Sequence, residues 1–531
     1  MKVSDLIAEK LAATGVRYFS GIPGGPSIPY MEAFRKAGID FILTSEERSA
    51  AFMADVTYRL TGILGVCHGT FGPGATNLLT GIGSALLDRS AVIALTSEMS
   101  DEWLRRMVQM NIDHQALFRP VVKATYRITS TNAKSVMSSA ISLSLREYPG
   151  PVHIGLPTGV SEKEAGNQAD EEASLKPGEN LPGDRDESIK LLGKCKNPVI
   201  ALGLTSARLR LGNAVKELLK TFRVPVLLTP MAKGLIDENH PCYAGVLFHS
   251  LSDHLRDIYE KADLVIGLGY DPVEYNYESW IPQVPLIHFD TVKTDLPAGN
   301  NVFSFTGPPA QWFKILGTLN LTSGIISSGI VNDTTKRIES IFESFTSHFG
   351  PVTALKVLRD SLPASTVITA DVGSHLHLIG QYWKTCGLQN LIITNGWSSM
   401  GFGIPSAIAA KLCRPSSEVV CITGDGGFLM SAGEIVTAVR YKIPVIIVVF
   451  SDGELNLIKI KQSWQNLPPY GTEIIRGTLF EGGRFLGAEV INAGSAGSLK
   501  EAIRRAMKKN TPIIINAMID PDDYNRLIVR Q

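Results

Sequence analysis

An α/β fold of three doubly wound parallel sheets is predicted by three observations. Short β-branched apolar runs alternate with stretches of helical spacing along the chain. Many of those runs end on turns rich in glycine or acidic residues. Two stretches of linker composition divide the alternation into three units.

The first unit spans residues 1–161. Its opening, MKVSDLIAEKLAATG, has the spacing of an amphipathic helix and carries acidic residues, so it does not read as a secretory or transit segment. Val16–Ser20 then leads into Gly21-Ile-Pro-Gly-Gly25, Phe41–Thr44 into Ser45-Glu46-Glu47, and Gly65–Gly69 into Phe71-Gly-Pro-Gly-Ala-Thr-Asn77. Ala91–Thr96 follows and Pro151–Pro157 closes the unit. Phe71–Leu87 has no charged residue. A surface helix needs a polar face, so this one is expected to be buried all round, at a subunit interface in preference to a large core.

Residues 162–187 are acidic, with Gly, Pro, Asn and Ser, and read as a linker. The second unit, 188–317, has strands at Asn197–Gly203, Val224–Pro230, Asp263–Gly269 and Pro285–Asp290. Residues 318–350 form a Ser/Thr-rich connection ending in a helix. The third unit, 351–531, runs through Thr366–Gly373, Leu391–Asn395, Val419–Thr423, Pro444–Phe450 and Pro512–Asp520.

The most informative stretch is Val419–Gln462. A strand ends at Gly424-Asp425-Gly426-Gly427, a helix is expected over Phe428–Tyr441, and a second strand ends at Ser451-Asp452-Gly453. In a parallel βαβ unit both strands point the same way, so Asp425 and Asp452 meet at the carboxyl edge of one sheet, where open α/β sheets bind ligands. Two carboxylates there repel unless a cation lies between them. Oxygen ligands suit Mg²⁺, and glycines beside Asp425 let backbone N–H groups approach phosphate. A lone Gly-Asp-Gly is more often only a turn; the second acidic turn one βα unit later is what singles this pair out.

At 531 residues the chain needs several cores. Its 51 basic and 51 acidic residues balance, and 44% of it is hydrophobic, so nothing suggests disorder, a nucleic-acid footprint or a polybasic membrane surface. No charge-free apolar run reaches membrane-spanning length. The six cysteines (67, 195, 242, 386, 413 and 421) form no CxxC pair and read as buried apolar residues in a reducing cytoplasm.

Taken together, GIPGGPSIPYMEA, TSEERSAAFMADVTYRLTG, GTFGPGATNLLTGIGSALLDRSAVIALT, DHQALFRPVVK, PMAKGLIDENHP, GYDPVEY, NGWSSMGFGIPSAIAAKL and GDGGFLMSAGE resemble the thiamine-diphosphate-dependent enzymes, in their acetolactate synthase branch. The resemblance covers the whole chain and implies the order pyrimidine-binding domain, central domain, diphosphate-binding domain. It implies that Glu47 hydrogen-bonds the cofactor's pyrimidine ring and favours the imino tautomer, whose nitrogen takes the proton from thiazolium C2. Read alone, Glu47 would be an ordinary acid at a helix start. Met400 matches the apolar wedge that bends the cofactor, and the Ser398 carbonyl would accept from the aminopyrimidine. Asp425, Asp452 and the carbonyl of Glu454 would hold Mg²⁺. Gly373, Ser374 and His375 would touch the diphosphate, with Gly424, Gly426, Gly427 and Leu455 around it. Gln115 would face the reacting carbon with His114 and Phe71 beside it, and Gly24 and Gly25 would approach the thiazolium.

Four departures stand out. The metal turn is Ser451-Asp452 where the family more often has Asn-Asn. Lys461 replaces a tryptophan that favours 2-ketobutyrate as acceptor, Glu46 replaces the histidine that commonly precedes Glu47, and little chain follows Tyr524 to cover a site. The expected activity is decarboxylation of a pyruvate-like 2-oxo acid with ligation to a second carbonyl compound. Carboxyethylarginine-synthase-like, sulfoacetaldehyde-acetyltransferase-like and simple decarboxylase chemistry remain alternatives, as does a non-catalytic paralogue. Gly267-Leu-Gly269 lacks a full dinucleotide fingerprint and is weak evidence for a nucleotide; the resemblance to catabolic-type members, which share GYDPVEY and do without FAD, implies that none is bound. Glu47 and Asp425 lie in different units, which implies a dimer, or a dimer of dimers, with the site between chains.

Overall fold

The computed structural model describes residues 1–166, 185–274, 284–296, 301–345, 348–385, 387–475 and 477–528. Three sheets, each from one contiguous stretch, form the architecture. The first contains β1 (Tyr18–Gly21), β2 (Asp40–Leu43), β3 (Gly65–Gly69), β4 (Val92–Glu98), β5 (Ala124–Arg127) and β6 (Val152–Pro157), ordered β2-β1-β3-β4-β6-β5 with all pairings parallel. The second contains β7 (Pro198–Leu202), β8 (Val226–Leu228), β9 (Tyr243–Val246), β10 (Leu264–Leu268), β11 (Leu286–Asp290) and β12 (Val302–Thr306), ordered β12-β11-β10-β7-β8-β9, again parallel. The third contains β13 (Val367–Ala370), β14 (Leu391–Ile392), β15 (Val419–Gly424), β16 (Ile446–Ser451), β17 (Arg484–Phe485), β18 (Ala488–Ala493) and β19 (Ile513–Met518). Its order is β14-β13-β15-β16-β19-β18-β17, with only β17–β18 antiparallel.

Most strands the sequence predicts are buried throughout, since a strand covered by helices on both faces must be largely apolar, although the short β9 is equally buried and is not among them. Central β15 and β16 are buried along nearly all their length. The sequence reading lacks β5, β9, β12, β17 and β18. All four residues of β5 are half-buried, and β12 and β18 mix buried with half-buried or exposed positions, so none shows a continuous apolar run. Residues 167–184 of the expected linker lie outside the described residues. Its last three positions belong instead to the helix Arg185–Leu192, and residues 162–166 are tied to the amino terminus through Met1–Glu164 and Lys2–Glu162 ion pairs.

One helix expectation needs correction. The single helix over Phe428–Tyr441 is two, Asp425–Ser431 and Glu434–Arg440. The break at Gly433 admits the Ser45-Glu46 turn of the first unit: Ser45 Oγ donates to the Gly433 carbonyl at 2.7 Å. The Glu434 carboxylate accepts the N–H groups of Ser45 and Glu46 at 3.0 and 3.2 Å. The uncharged segment forms the helix Pro73–Leu87, only part of which is buried within a single chain. Pro73, Thr76 and Asn77 are exposed, while its later turns pack inside the chain against the helix Glu47–Thr61. The crossing is close because Gly81 has no side chain: a Cβ there would lie 2.4 Å from Ala51 Cβ and 2.8 Å from the Arg48 carbonyl.

Hydrogen bonds lock the three units together. Arg89 forms a bidentate pair with Asp271 at 2.7 and 3.1 Å, joining first to second. Asp88 accepts from the Gly396 N–H at 3.0 Å, joining first to third, and Gln381 pairs with the backbone of Val246, joining third to second. No described helix is long and apolar enough to cross a membrane.

The helix crossing gives a direct test. Gly81→Val should destabilise by about 1–3 kcal/mol through overpacking, seen as a lower thermal midpoint. Gly497→Ala, where a Cβ meets nothing within 4 Å, should leave the midpoint unchanged or raise it.

Candidate active site

In the third sheet the chain order reverses between β13 and its neighbours: β14 lies on one side and β15 on the other. That switch point is where the loops after neighbouring strands diverge and leave a crevice at their carboxyl ends. A cavity of about 110 Å³ lies there, lined by Gly373, Ser374 and His375 after β13, Gly424–Gly427 after β15, and Asp452 and Glu454–Ile458 after β16. Met400 and Tyr524 complete its wall.

Asp425 is the centre of this edge. Its carboxylate accepts N–H groups from Gly426 at 2.8 Å, Gly453 at 2.7 Å and Asp452 at 3.2 Å, so the two acidic turns are tied to each other. Gly453 adopts φ 79°, the left-handed turn that delivers its N–H to Asp425. Burial raises the Asp452 carboxyl to about 7, and the Asp425 charge adds to the rise; burial raises Asp425 as well. The Glu454 side chain is engaged by Lys459, so what it offers the cavity is backbone.

The chemistry of this lining fits a metal-bound diphosphate. Ser374 Oγ, His375 Nε2 and Asn456 Nδ2 are buried polar atoms without hydrogen-bond partners on residues that line the cavity, and such orphans require a partner. Burial holds the His375 imidazole down at about 4, leaving it neutral and able to donate one N–H. Glycine permits close approach on the same walls: a Cβ on Gly426 would lie 3.0 Å from Met400 Cε, and one on Gly427 would lie 2.8 Å from the Asp371 carboxyl.

Asp371, Asn456 and Tyr524 carry parts the sequence reading assigned to none of them. Asp371 is fully buried and accepts N–H groups from Val372, Gly401 and Gly403 and the Thr423 hydroxyl, at 2.7–3.3 Å. It thereby holds the Met400 loop against the ends of β13 and β15. Its place inside the expected strand Thr366–Gly373 carried no sign of this part. Tyr524, the residue after which little chain was expected to cover a site, is itself 2% exposed and forms cavity wall. Ser398 has φ 52° and hydrogen-bonds the Asn395 carbonyl through its hydroxyl; it does not line the cavity.

The remaining predicted residues gather at the carboxyl edge of the first sheet. Glu47 begins its helix, 5% exposed, and accepts from Asn77 Nδ2 at 3.1 Å. A Cβ on Gly74 would lie 3.1 Å from Glu47 Oε1, and one on Gly24 would lie 2.1 Å from Thr70 Oγ1, so this group too depends on glycine; Gly25 has open space. Gln115 turns toward the sheet, its amide bound by Glu98, Tyr126 and Thr125. His114 is buried beneath Gly72 and bonded to Thr96. Glu47, Gln115, His114, Gly24 and Gly25 are all absent from the lining of the Asp425 cavity. One chain therefore carries two separate clusters.

Three family models match the chain in order: thiamine pyrophosphate enzyme N-terminal TPP binding domain over residues 1–117, central domain over 186–303, and C-terminal TPP binding domain over 371–517. A probable acetolactate synthase large subunit of Methanococcus aeolicus is 30% identical, over 98% of this chain and 92% of its own. The acetolactate synthase of Bacillus subtilis (strain 168) is 27% identical over 98% and 93%. A catabolic acetolactate synthase of Raoultella terrigena is 28% identical over 99% and 96%.

The carboxylate pair predicts a pH dependence. With Asp452 titrating near 7 folded and about 3.9 unfolded, the folded chain binds the extra proton between those values. Stability of the metal-free protein should fall as pH rises through that window and be flat outside it. A divalent cation must displace that proton, so its affinity should rise about tenfold per pH unit up to about 7 and then level. Calorimetry with Mg²⁺ and thiamine diphosphate measures this, and Asp452→Asn should flatten the profile.

Proposed function

Because the chain belongs to the thiamine pyrophosphate enzyme family, we propose that it decarboxylates a pyruvate-like 2-oxo acid and joins the remaining fragment to a second carbonyl compound, as its acetolactate synthase relatives are named for. The observation that carries the placement of the cofactor is the Asp425–Asp452 pair facing Ser374, His375 and Asn456 across one small cavity. Mg²⁺ would lie between Asp425, Asp452 and the Glu454 carbonyl. The Ser374, His375 and Asn456 donors would hold the diphosphate, with Gly373, Gly424, Gly426, Gly427 and Leu455 packed around it.

When bound, thiamine diphosphate supplies a carbanion and an electron sink for loss of CO₂. The chain supplies position and proton control. Met400, held by Asp371 through its loop, is the apolar support beneath the rings, and the Ser398 carbonyl accepts from the aminopyrimidine. The Glu47 carboxyl, braced by Asn77, keeps a proton on the pyrimidine ring. Gln115, with His114 and Phe71, bounds the side where the second carbonyl enters, and Gly24 and Gly25 let backbone approach the thiazolium.

Since Glu47 is absent from the wall of its own chain's Asp425 cavity, a second copy provides it, and the working unit is a homodimer or a dimer of dimers. Exposed apolar side chains support this reading: Trp103 and Met107 on the first unit, Trp397, Leu429 and Met430 on the third. We assign no flavin to the chain; at the carboxyl edge of the central sheet the buried Glu274 carboxyl accepts the N–H groups of Leu204 and Met231 at 3.0 Å each. The compartment we assign is the cytoplasm, in keeping with five described cysteines that are all unpaired.

Pyruvate turnover monitored by CO₂ release and mass spectrometry tests the reaction. Acetolactate is the expected product; acetaldehyde alone would make the protein a simple decarboxylase. Glu47→Gln should lower kcat by about 10²–10⁴-fold while Mg²⁺-dependent binding of thiamine diphosphate persists. Mixing inactive Glu47→Gln with inactive Asp425→Ala chains should restore part of the activity, because one of the two sites in a mixed dimer is intact. No recovery after confirmed chain exchange would overturn the shared site.

A further inference from the structure

Behind Gln115, polar groups of the first sheet form a continuous chain in the protein interior. The Gly72 N–H lies 3.3 Å from His114 Nε2. His114 Nδ1 lies 2.9 Å from Thr96 Oγ1, which lies 2.7 Å from His153 Nε2. His153 Nδ1 lies 2.6 Å from Thr125 Oγ1, which lies 2.6 Å from Gln115 Oε1, and Gln115 Nε2 reaches Glu98 Oε1. His114, Thr96, His153 and Glu98 are all at most 3% exposed. Phe118 stacks on His153 at 4.0 Å and 4°, fixing the ring plane. A Cβ on Gly155 would fall 2.1 Å from Glu98 Oε1, so that glycine makes room for the carboxylate.

The protons in this chain follow by counting. Gln115 Nε2 faces two acceptors, Glu98 Oε1 and the Tyr126 carbonyl, so the amide oxygen is the atom at Thr125. Thr125 must donate its single O–H to that oxygen, and its lone pair is left for His153. His153 therefore carries its proton on Nδ1 and accepts at Nε2. Thr96 then donates to His153 and accepts from His114, which also carries its proton on Nδ1 and accepts the Gly72 N–H at Nε2. Both rings are neutral in this arrangement, as their burial favours: it lowers His114 to about 4 and His153 well below its ordinary value. Every donor has one acceptor, and the chain has one direction, from the Phe71-Gly72 turn to Glu98. Beyond it Arg127 Nε stands 3.3 Å from Glu98 Oε2 as an ion pair.

We propose that this one-way hydrogen-bond chain is the device that orients Gln115, with Glu98, Thr125 and His153 as positioning residues for the carbonyl-ligation step. It deepens the function proposed above and rests on Gln115 bordering the reacting carbon. Because the opposite end of the chain holds the Gly72 N–H, the turn that opens the helix beside Glu47 and the Gln115 amide are set by one network. Glu98, His114 and His153 also place ligand atoms within 4.8 Å of one another, as a metal triad would. The Thr96 hydroxyl already bonds both rings, and Glu98 is engaged by the Gln115 amide at Oε1 and by an ion pair with Arg127 at Oε2, so these groups already have partners other than a cation.

The test uses the full-length protein with Mg²⁺ and thiamine diphosphate. With ¹⁵N-labelled histidine, His114 and His153, assigned by single replacement, should both show the neutral Nδ1–H tautomer. An Nε2–H form at either ring, a charged ring near neutral pH, or stoichiometric bound transition metal would overturn the chain. In kinetics, Thr125→Val should lower kcat/KM for the acceptor by at least about tenfold with cofactor affinity and thermal midpoint unchanged, and Thr125→Ser should restore it. If loss of activity only tracks loss of stability or cofactor affinity, the positioning role is wrong. Gln115→Ala separates the two ideas: normal kinetics in that variant, with both tautomers as expected, would refute the role of Gln115 in the proposed function while leaving the hydrogen-bond chain in place.

Discussion

Two carboxylates at the ends of adjacent parallel strands set the terms for the rest of this site. The register that pairs Gly424 with Phe450 brings the residues just beyond them, Asp425 and Asp452, to one edge. Neither can move away, because Asp425 is bound by three backbone N–H groups, two of them from the turn that carries Asp452. The fold thus stores a like-charge contact that only a proton or a cation relieves. Asp371 performs a related task one strand away. Its fully satisfied carboxylate joins three loops, so the apolar Met400 is presented from a polar scaffold without a free charge beneath it.

The first sheet solves a different problem. It holds neutral groups in one orientation through a buried chain of hydroxyls, imidazoles and an amide, and it brings Glu47 to a helix start beside Gly74 and Asn77. In the proposed reaction the two clusters would divide the chemistry, charge and phosphate on the third sheet and proton placement on the first. The Glu434 cap on Ser45 and Glu46 and the Asp88 bond to the Gly396 N–H fix how these sheets meet within a chain, and that arrangement leaves Glu47 outside the Asp425 cavity.

Much of the fold was legible because its central strands are buried on both faces and so read as unbroken apolar runs. The strands that escaped, such as Ala124–Arg127 and Ala488–Ala493, are half-buried or at sheet margins, where composition is mixed. The helix break at Gly433 escaped because its cause is a turn nearly 390 residues away. In the site, Asp425 and Asp452 were readable from strand-end spacing alone. Glu47, Met400 and Gln115 needed the family resemblance, since an acid at a helix start or a methionine in an apolar stretch has no local mark of its role. Asp371, Asn456, Tyr524 and Glu98 escaped because what distinguishes them is burial and the partners they meet.

By itself the sequence determined the three-sheet α/β architecture, the order of its units and the two acidic turns. Those follow from periodicity and strand-end chemistry, which are local. Tertiary structure alone decided that Asp371 organises the Met400 loop, that Glu274 binds the turns after two strands of the central sheet, that Gln115 is held from behind by Glu98 and Thr125, and that Glu47 does not enter its own chain's cavity. Each depends on which groups far apart in sequence come within hydrogen-bond distance, and that distance is set only when the sheets pack.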